Sequence, residues 1–478
     1  MAHAKVKKDL TTGALLPKII LFALPLIATA ILQQLFNTAD TVVVGRWGGE
    51  TAAEREAALA AVGSCGSLTN LIVTLFFGLS VGAGVCVAHD IGAKHYDDVE
   101  RVVHTSIVAA LICGAFVTVF GLCMARPLLS LMGTPSSVLD QAAPYMMAYF
   151  CGMPANILYN YCASMLRSSG DTTRPLVFLS IAGVVNVGMN LVMVLVFHLG
   201  AIGVGIATAA SHWVACILII RHMLHTDGPC HLEFKKLRIY KDKLRKIILI
   251  GLPSGLQSVL FSFSNVIIQS SINSLGQVSI AGNTAASNID TYIYSTQNAL
   301  YHASITFVGQ NVGARKFRRV RQSALLCAVV VVAVGLLIGP AAVFFGRPLL
   351  GIFTPDGGAV VEAGMIRLTI MGFTYFTCGL MEVGSGALRG IGRSMESMII
   401  SLLGSCVLRV VWIYTVFAAL RTPESLYISY PISWVLTSTA LYITFFVLLR
   451  KKEQNELARM ARAQQLAEQK EQEVTQQV

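Results

Sequence analysis

Lys18-Ile19-Ile20-Leu21-Phe22-Ala23-Leu24-Pro25 recurs as Lys246-Ile247-Ile248-Leu249-Ile250-Gly251-Leu252-Pro253. Three further pairs follow in the same order. Gly92-Ala93-Lys94 answers Gly313-Ala314-Arg315, Arg126-Pro127-Leu128-Leu129 answers Arg347-Pro348-Leu349-Leu350, and Leu166-Arg167-Ser168-Ser169-Gly170 answers Leu388-Arg389-Gly390-Ile391-Gly392. The offsets are 228, 221, 221 and 222, so the register holds along a whole half of the chain. A conserved offset of this kind is the mark of a duplicated unit. The reading is an N-terminal lobe (1–226), a basic linker (227–245), a C-terminal lobe (246–452) and a polar tail (453–478).

Each unit is built for hydrocarbon. The 478-residue chain is 55% hydrophobic and 13% charged, with mean hydropathy +0.66, where soluble domains carry about 25% charge. Twelve apolar windows are long enough to cross about 30 Å of hydrocarbon, near 17–45, 57–86, 103–124, 140–164, 175–198, 201–224, 246–273, 281–312, 322–346, 362–387, 395–419 and 427–449. The expected fold is therefore an all-α polytopic membrane protein. Its twelve transmembrane helices form two six-helix pseudo-symmetric bundles. Six spans per half is even, so both halves enter the bilayer in the same sense, related by a pseudo-two-fold axis along the membrane normal.

Net charge is +11, and its placement carries the information. With Met1 inside, 29 of the 36 Lys and Arg fall on inner segments. Six fall outside (Arg46, Arg55, Arg126, Arg347, Arg367, Arg421), and Arg409 lies within a span. This positive-inside asymmetry puts both termini in the cytoplasm of a multi-pass plasma-membrane protein. The basic excess thus reports orientation and contact with anionic lipid, and no nucleic-acid partner is expected. Lys5, Lys7 and Lys8 before an apolar run imitate a signal peptide, but the run continues past Ala28-Thr29-Ala30, so no cleavage is expected. The 11 cysteines form no Cys-x-x-Cys pair and read as small packing residues. His222, His225, Cys230 and His231 are irregularly spaced in a basic segment and are not read as a metal site.

Charge inside a span is costly, about 2.5–3.5 kcal/mol at mid-helix on insertion scales, so an intramembrane acid or base is a functional candidate. Gln33, Asn37 and Asp40 are four and three residues apart and share one helix face. Asp40 lies 23 residues, about 34 Å, beyond Pro17, and Asn190 lies 16 residues, about 24 Å, beyond Arg174. Both fall in the outer half of the bilayer, which makes Asp40, Asn186 and Asn190 one candidate site. Asp290 in span 8 and Arg409 in span 11 reach a similar depth and are candidate partners. Glu382 lies nearer the inner end, so a direct Glu382–Arg409 pair is not expected.

These features resemble the multidrug and toxic compound extrusion (MATE) transporters of the bacterial DinF/NorM-like type. The resemblance rests on the Leu-Pro openings of helices 1 and 7, on Asn37-Thr38-Ala39-Asp40 with Val44-Gly45, on Gln310-Asn311-Val312-Gly313-Ala314 and on Leu388-Arg389-Gly390-Ile391-Gly392, and it spans about 15–450. It implies export of organic, often cationic, compounds in exchange for H+ or Na+. It places Asp40 on the family's helix-1 aspartate. The second, helix-5 acid of many relatives is here replaced by Asn186 and Asn190. The helix-10 aspartate of NorM-like members falls on Cys378, with Glu382 one turn further, and their helix-7 glutamate is missing among Gln257, Ser258, Ser262 and Asn265.

The expected function is a monomeric antiporter working by alternating access between two rocking lobes. Its coupling ion is H+ or Na+, with Na+ accommodated by Asp40, Asn186 and Asn190. No Gly-x-x-x-x-Gly-Lys-Ser/Thr loop is present, and no cofactor is expected. The alternative is a lipid-linked precursor flippase, which would need more cations along the cleft to meet a pyrophosphate. One interior arginine against several acids favours organic cations or drugs instead. A membrane enzyme would need a clustered constellation such as His-Glu-x-x-His, and none appears.

Overall fold

A computed structural model describes residues 9–49, 51–132, 134–353 and 358–476. Lys5, Lys7 and Lys8 lie outside the described residues. Within the described residues all regular structure is helical, as it must be where hydrocarbon offers the backbone no partners. Twelve spans appear. They are α1 (Leu15–Trp47), α2 (Ala52–Gly92), α3 (Tyr96–Leu131), α4 (Ser136–Cys151 and Met153–Ser168), α5 (Thr173–Leu191, then a π-turn Val192–Val196) and α6 (Gly200–His225) in the first half. The second half has α7 (Lys241–Asn273), α8 (Gln277–Gly313), α9 (Phe317–Phe344), α10 (Gly358–Gly390), α11 (Ser394–Ser401 running through two π-turns to Leu420) and α12 (Ser429–Gln476).

Ten of these are continuous and apolar enough to cross a membrane on that basis alone. Of the other two, α4 is divided at Gly152 into two segments of 16 residues each. The last, α8, is diluted by Asn283, Asn288, Asp290, Gln297, Asn298, Gln310 and Asn311. The tail does not fray at the expected end of span 12, since α12 continues as one helix to Gln476. Arg321 pairs with Glu453, and Glu456 takes Arg315 at 3.5 Å.

The repeat is visible in the turns. Lys94 (φ 61°) and Arg315 (φ 56°), Gly170 (φ 94°) and Gly392 (φ 85°), and Gly200 (φ 53°) and Arg421 (φ 48°) are left-handed at matching places in the two halves. Such residues stop helices by redirecting the chain. Lys94 and Arg315, with Gly170 and Gly392, sit in the motifs that reveal the duplication. The π-turns Val192–Val196 and Ile413–Phe417 also correspond, and the ion pair Arg126–Asp140 (3.0 Å) has its counterpart in Arg347–Glu362 (3.0 Å).

The first helix of each half does not stay in its own lobe. Leu15, Ile19, Phe22, Ala23 and Leu26 of α1 are buried in a core with Leu300, Ala303 and Phe307 of α8 and Cys327 and Val331 of α9. Val43 and Val44, at the other end of α1, belong to the core of the N-terminal lobe. Correspondingly, Ile247 of α7 is buried in the N-terminal core, whereas Ile268 and Ile272 lie in the C-terminal core. Each crossed start is anchored by polar contacts. Arg319 donates to the carbonyls of Gly13 (2.8 Å) and Thr12 (2.7 Å) ahead of α1, and Lys243 pairs with Asp90 (3.2 Å) and Asp98 (3.1 Å) at the foot of α2 and α3.

The lobes meet closely at one end. Gly78 and Gly82 of α2 lie against Gly255 and Gly251 of α7, and Gly92 and Gly313 lie against the backbone of Gln310 and His89, so tightly that an added methyl would overlap main-chain atoms. Small residues permit such backbone approach between membrane helices. Gln310 Nε2 donates to Ser168 O (2.7 Å) and His89 Nε2 to Gly390 O (2.6 Å) across the same seam.

Candidate functional site

The structure brings Asp40, Asn186 and Asn190 together. Asn190 Nδ2 lies 2.5 Å from Asp40 Oδ1 and 3.4 Å from Asn186 Oδ1. Thr208 of α6, which the sequence reading had not singled out, accepts from Asn186 Nδ2 at 3.5 Å and gives its hydroxyl proton to Val204 O at 2.9 Å. The fit depends on α5 lying hard against α1, where Gly183 leaves room for the ring of Phe36. Asn190 is fully buried, and its Oδ1 has no partner among the described residues. The cluster offers oxygens from one carboxylate, two amides and one hydroxyl, a set that suits a proton or a hard monovalent cation. Gln33 and Asn37 share the helix but not the cluster. Both are exposed, and Asn37 Nδ2 reaches only Gln34 Oε1 at 3.5 Å.

A cavity of about 540 Å³ lies mostly within the C-terminal lobe, with Asn70 and Thr74 of α2 on its N-terminal side. Asp290, Glu382 and Arg409 line it, together with Arg367, Tyr294, Tyr375, Tyr430 and Trp434. Gln257 does not. It accepts from Arg389 Nη2 at 2.8 Å, while Arg389 Nη1 bonds the hydroxyl of Tyr301.

The pairing of Asp290 with Arg409 is not observed. Asp290 Oδ2 instead takes Arg367 Nε at 2.8 Å, and Arg367 Nη1 donates to Asn283 Oδ1 at 2.5 Å. The reason is the length of α10, which begins at Gly358 and carries Arg367 into the lobe between α8 and α12. Arg367 therefore does not belong with the outer-loop arginines, and the premise of one interior arginine against several acids falls. The cavity holds two arginines and two acids. Arg409 hydrogen-bonds Ser433 through Nε at 2.8 Å and stands 4.2 Å from the Tyr430 ring centre and 5.6 Å from that of Trp434.

The four-residue histidine and cysteine group is dispersed. His222 meets Arg174 Nη1 at 2.5 Å, His225 and His231 bond nearby carbonyls, and Cys230 is buried beside Met165. His89-Asp90, which departs from its Gln310-Asn311 counterpart, is put to use at the seam: His89 bonds Gly390 and Asp90 holds Lys243.

Twelve spans in two matching lobes, each with a polar site sunk among apolar helices, define a membrane transporter. The MatE family model matches residues 25–192 and 253–415, once in each half, and the chain belongs to that family. It is similar to the probable multidrug resistance protein YoeA of Bacillus subtilis, 24% identical over 452 residues that cover 91% of this chain and 94% of the relative. It is also similar to an FAD transporter of Shewanella oneidensis (25% over 422 residues, 85% and 89% covered) and to the probable multidrug resistance protein NorM of Thermotoga maritima (23% over 399 residues, 81% and 82% covered). Among solved structures, it shares its fold with a MOP superfamily transporter from Pyrococcus furiosus described by the reverse polarity of its binding pocket (TM-score 0.86, 21% identity, 93% and 98% covered). A MATE transporter in a bent conformation also matches (TM-score 0.83, 20% identity, 92% and 96% covered).

Proposed function

We propose that the chain exports small organic molecules by secondary antiport, with alternating access of two lobes and ion coupling at the Asp40 cluster. Support comes from the 2.5 Å contact between Asp40 and Asn190, which ties α1 to α5 through a carboxylate. A proton or Na+ arriving at Asp40 competes with that contact, and the orphaned Asn190 Oδ1 supplies a further ligand. Because α1 has one end in each lobe, a change at Asp40 is carried along the helix past Pro25 towards the other lobe. Pro25 removes one backbone hydrogen bond and gives α1 a place to bend.

The seam lies at the end bearing the basic loops. With that end cytoplasmic, the structure is open to the outside, both termini are inside, and the protein is an integral plasma-membrane exporter that works as a monomer. The relatives include proteins named for multidrug resistance and one named for FAD transport, in keeping with an organic cargo whose charge the family leaves open. A lipid-linked pyrophosphate would need several uncompensated cations along the cleft, and of the two arginines lining the cavity Arg367 is already taken by Asp290, which leaves Arg409 alone.

The test is Asp40→Asn in inverted vesicles, following ethidium transport under separate pH and sodium jumps. Expected is loss of gradient-driven transport in a variant that is folded and inserted. Full activity would overturn the assignment, and the jump that drives the unaltered chain identifies the ion.

A further inference from the structure

We propose that the C-terminal-lobe cavity binds aromatic compounds bearing an anionic group, with Arg409 receiving the anion. The inference deepens the exporter reading and rests on it for the statement that such a compound is cargo. Its binding can be measured without transport.

The argument starts from unequal treatment of two buried arginines in one cavity. Arg367 is neutralised, with its Nε on Asp290 and its Nη1 on Asn283. Arg409 is 7% exposed, and among the described residues no carboxylate lies within ion-pair distance of it. Its Nε–H goes to the neutral hydroxyl of Ser433, and its Nη2 is buried with no partner. A guanidinium has five N–H donors and cannot shed its charge. Stacking on ring faces is worth about 0.5–2 kcal/mol, and removing a charge from water costs several kcal/mol. The rings of Tyr430 and Trp434 thus offset only part of that cost. An anion on a ligand supplies the rest, and Arg is suited to hold it through paired N–H donors.

The remaining walls specify the body of that ligand. Phe261, Tyr294, Tyr375, Met371 and Met381 line the same space, giving ring faces for stacking and thioethers that adapt to varied outlines. A volume of about 540 Å³ is within the range of about 300–1,000 Å³ used for drug-sized molecules.

The backbone around Arg409 supports a built site. The short α-helical stretch Leu408–Trp412 sits between π-turns at Leu402–Val407 and Ile413–Phe417. The corresponding helix α5 has only the second of these. An inserted residue turns all later side chains by about 100° around the helix axis, and π-bulges concentrate at functional positions.

The experiment measures fluorescein binding to the detergent-purified chain by fluorescence polarisation, with ethidium as the aromatic cation. Arg409→Gln should weaken fluorescein binding about tenfold or more, the worth of one charge-assisted hydrogen bond, and should not weaken ethidium binding. Arg409→Lys should restore part of it, and Glu382→Gln should not weaken it. Equal fluorescein affinity in Arg409→Gln, or equal loss for both dyes, would overturn the proposal. If Arg409→Gln does not fold, the unaltered chain decides. There, 2-naphthoate or riboflavin 5′-phosphate must displace fluorescein where naphthylmethylammonium does not, and the two anions separate carboxylate from phosphate recognition. A chain that binds no fluorescein, or releases it to the cation equally well, refutes the idea, whatever the fate of ion coupling at Asp40.

Discussion

His89 and Gly390 are joined by a hydrogen bond of 2.6 Å from the imidazole Nε2 on α2 to the carbonyl at the end of α10. It crosses the seam between the two halves, where glycines let backbones touch. Any cycle that opens this end must break that bond and part those glycines. In the alternating-access cycle proposed above, the seam acts as a latch whose strength sets the balance between two states.

Bulk at the seam should shift that balance. At Gly82 an added Cβ overlaps the Ile247 carbonyl and Gly251. Gly82→Leu is expected to lower transport and to raise labelling of residues at the closed end by a membrane-impermeant maleimide. Gly63→Leu, on the same helix with open space around it, should leave both unchanged.

Removing one member of the buried pair in α8 and α10 should be costly. Asp290→Asn leaves Arg367 charged and unmatched, and loss of about 3–5 kcal/mol is expected. The measurement is thermal unfolding in detergent. Asp290→Leu combined with Arg367→Met should recover most of the loss, and the pair should be strongly non-additive.

The amide on α5 should tune the ion and not the cargo. Asn190→Ala removes the donor to Asp40 and the orphan oxygen. If the coupling ion is Na+, its concentration for half-maximal transport should rise about tenfold, as for loss of one interaction with a charged group; if it is H+, that concentration should fall, because the donor that competes for the carboxylate is gone. Cargo affinity without a gradient should stay the same. A fall in cargo affinity alone would place the cargo, not the ion, at this cluster.

Docking of the linker should depend on acid. Lys236 bonds Glu233 at 2.7 Å and Glu100 at 2.9 Å. The Lys236 ammonium holds the Glu233 carboxyl below its ordinary value. A lowered acid stabilises the folded state above its unfolded pKa, and the contribution is lost as pH falls through the folded one. Limited proteolysis near Thr226–Tyr240 should therefore quicken below the usual carboxylate range and be unchanged from neutral pH upward. The exposed pair is also screened by salt.

The sequence carries the spans and the repeat because both are local. Apolar length marks a crossing, and the motifs at Lys94 and Arg315 mark helix ends that turn through left-handed residues. The Asp40–Asn190 meeting is legible from depth alone, since helical rise converts residue count into height. What depth cannot supply is azimuth. Asp290 and Arg409 are at similar heights, but Arg367 lies on the face of α10 that meets Asp290. Its signal was available: it lies inside the apolar window 362–387 that marks span 10. Thr208 was hidden as a lone hydroxyl among small apolar residues, and the crossed starts of α1 and α7 leave no mark in any single stretch.

Those crossed starts make the two halves interdependent as they are built. The N-terminal core is incomplete until Ile247 arrives, and the segment 9–26 has no partner until α8 and α9 exist. The product behaves as a fused dimer that has exchanged the starts of its leading helices. Cutting the linker in the finished protein would still leave two fragments each holding a helix of the other.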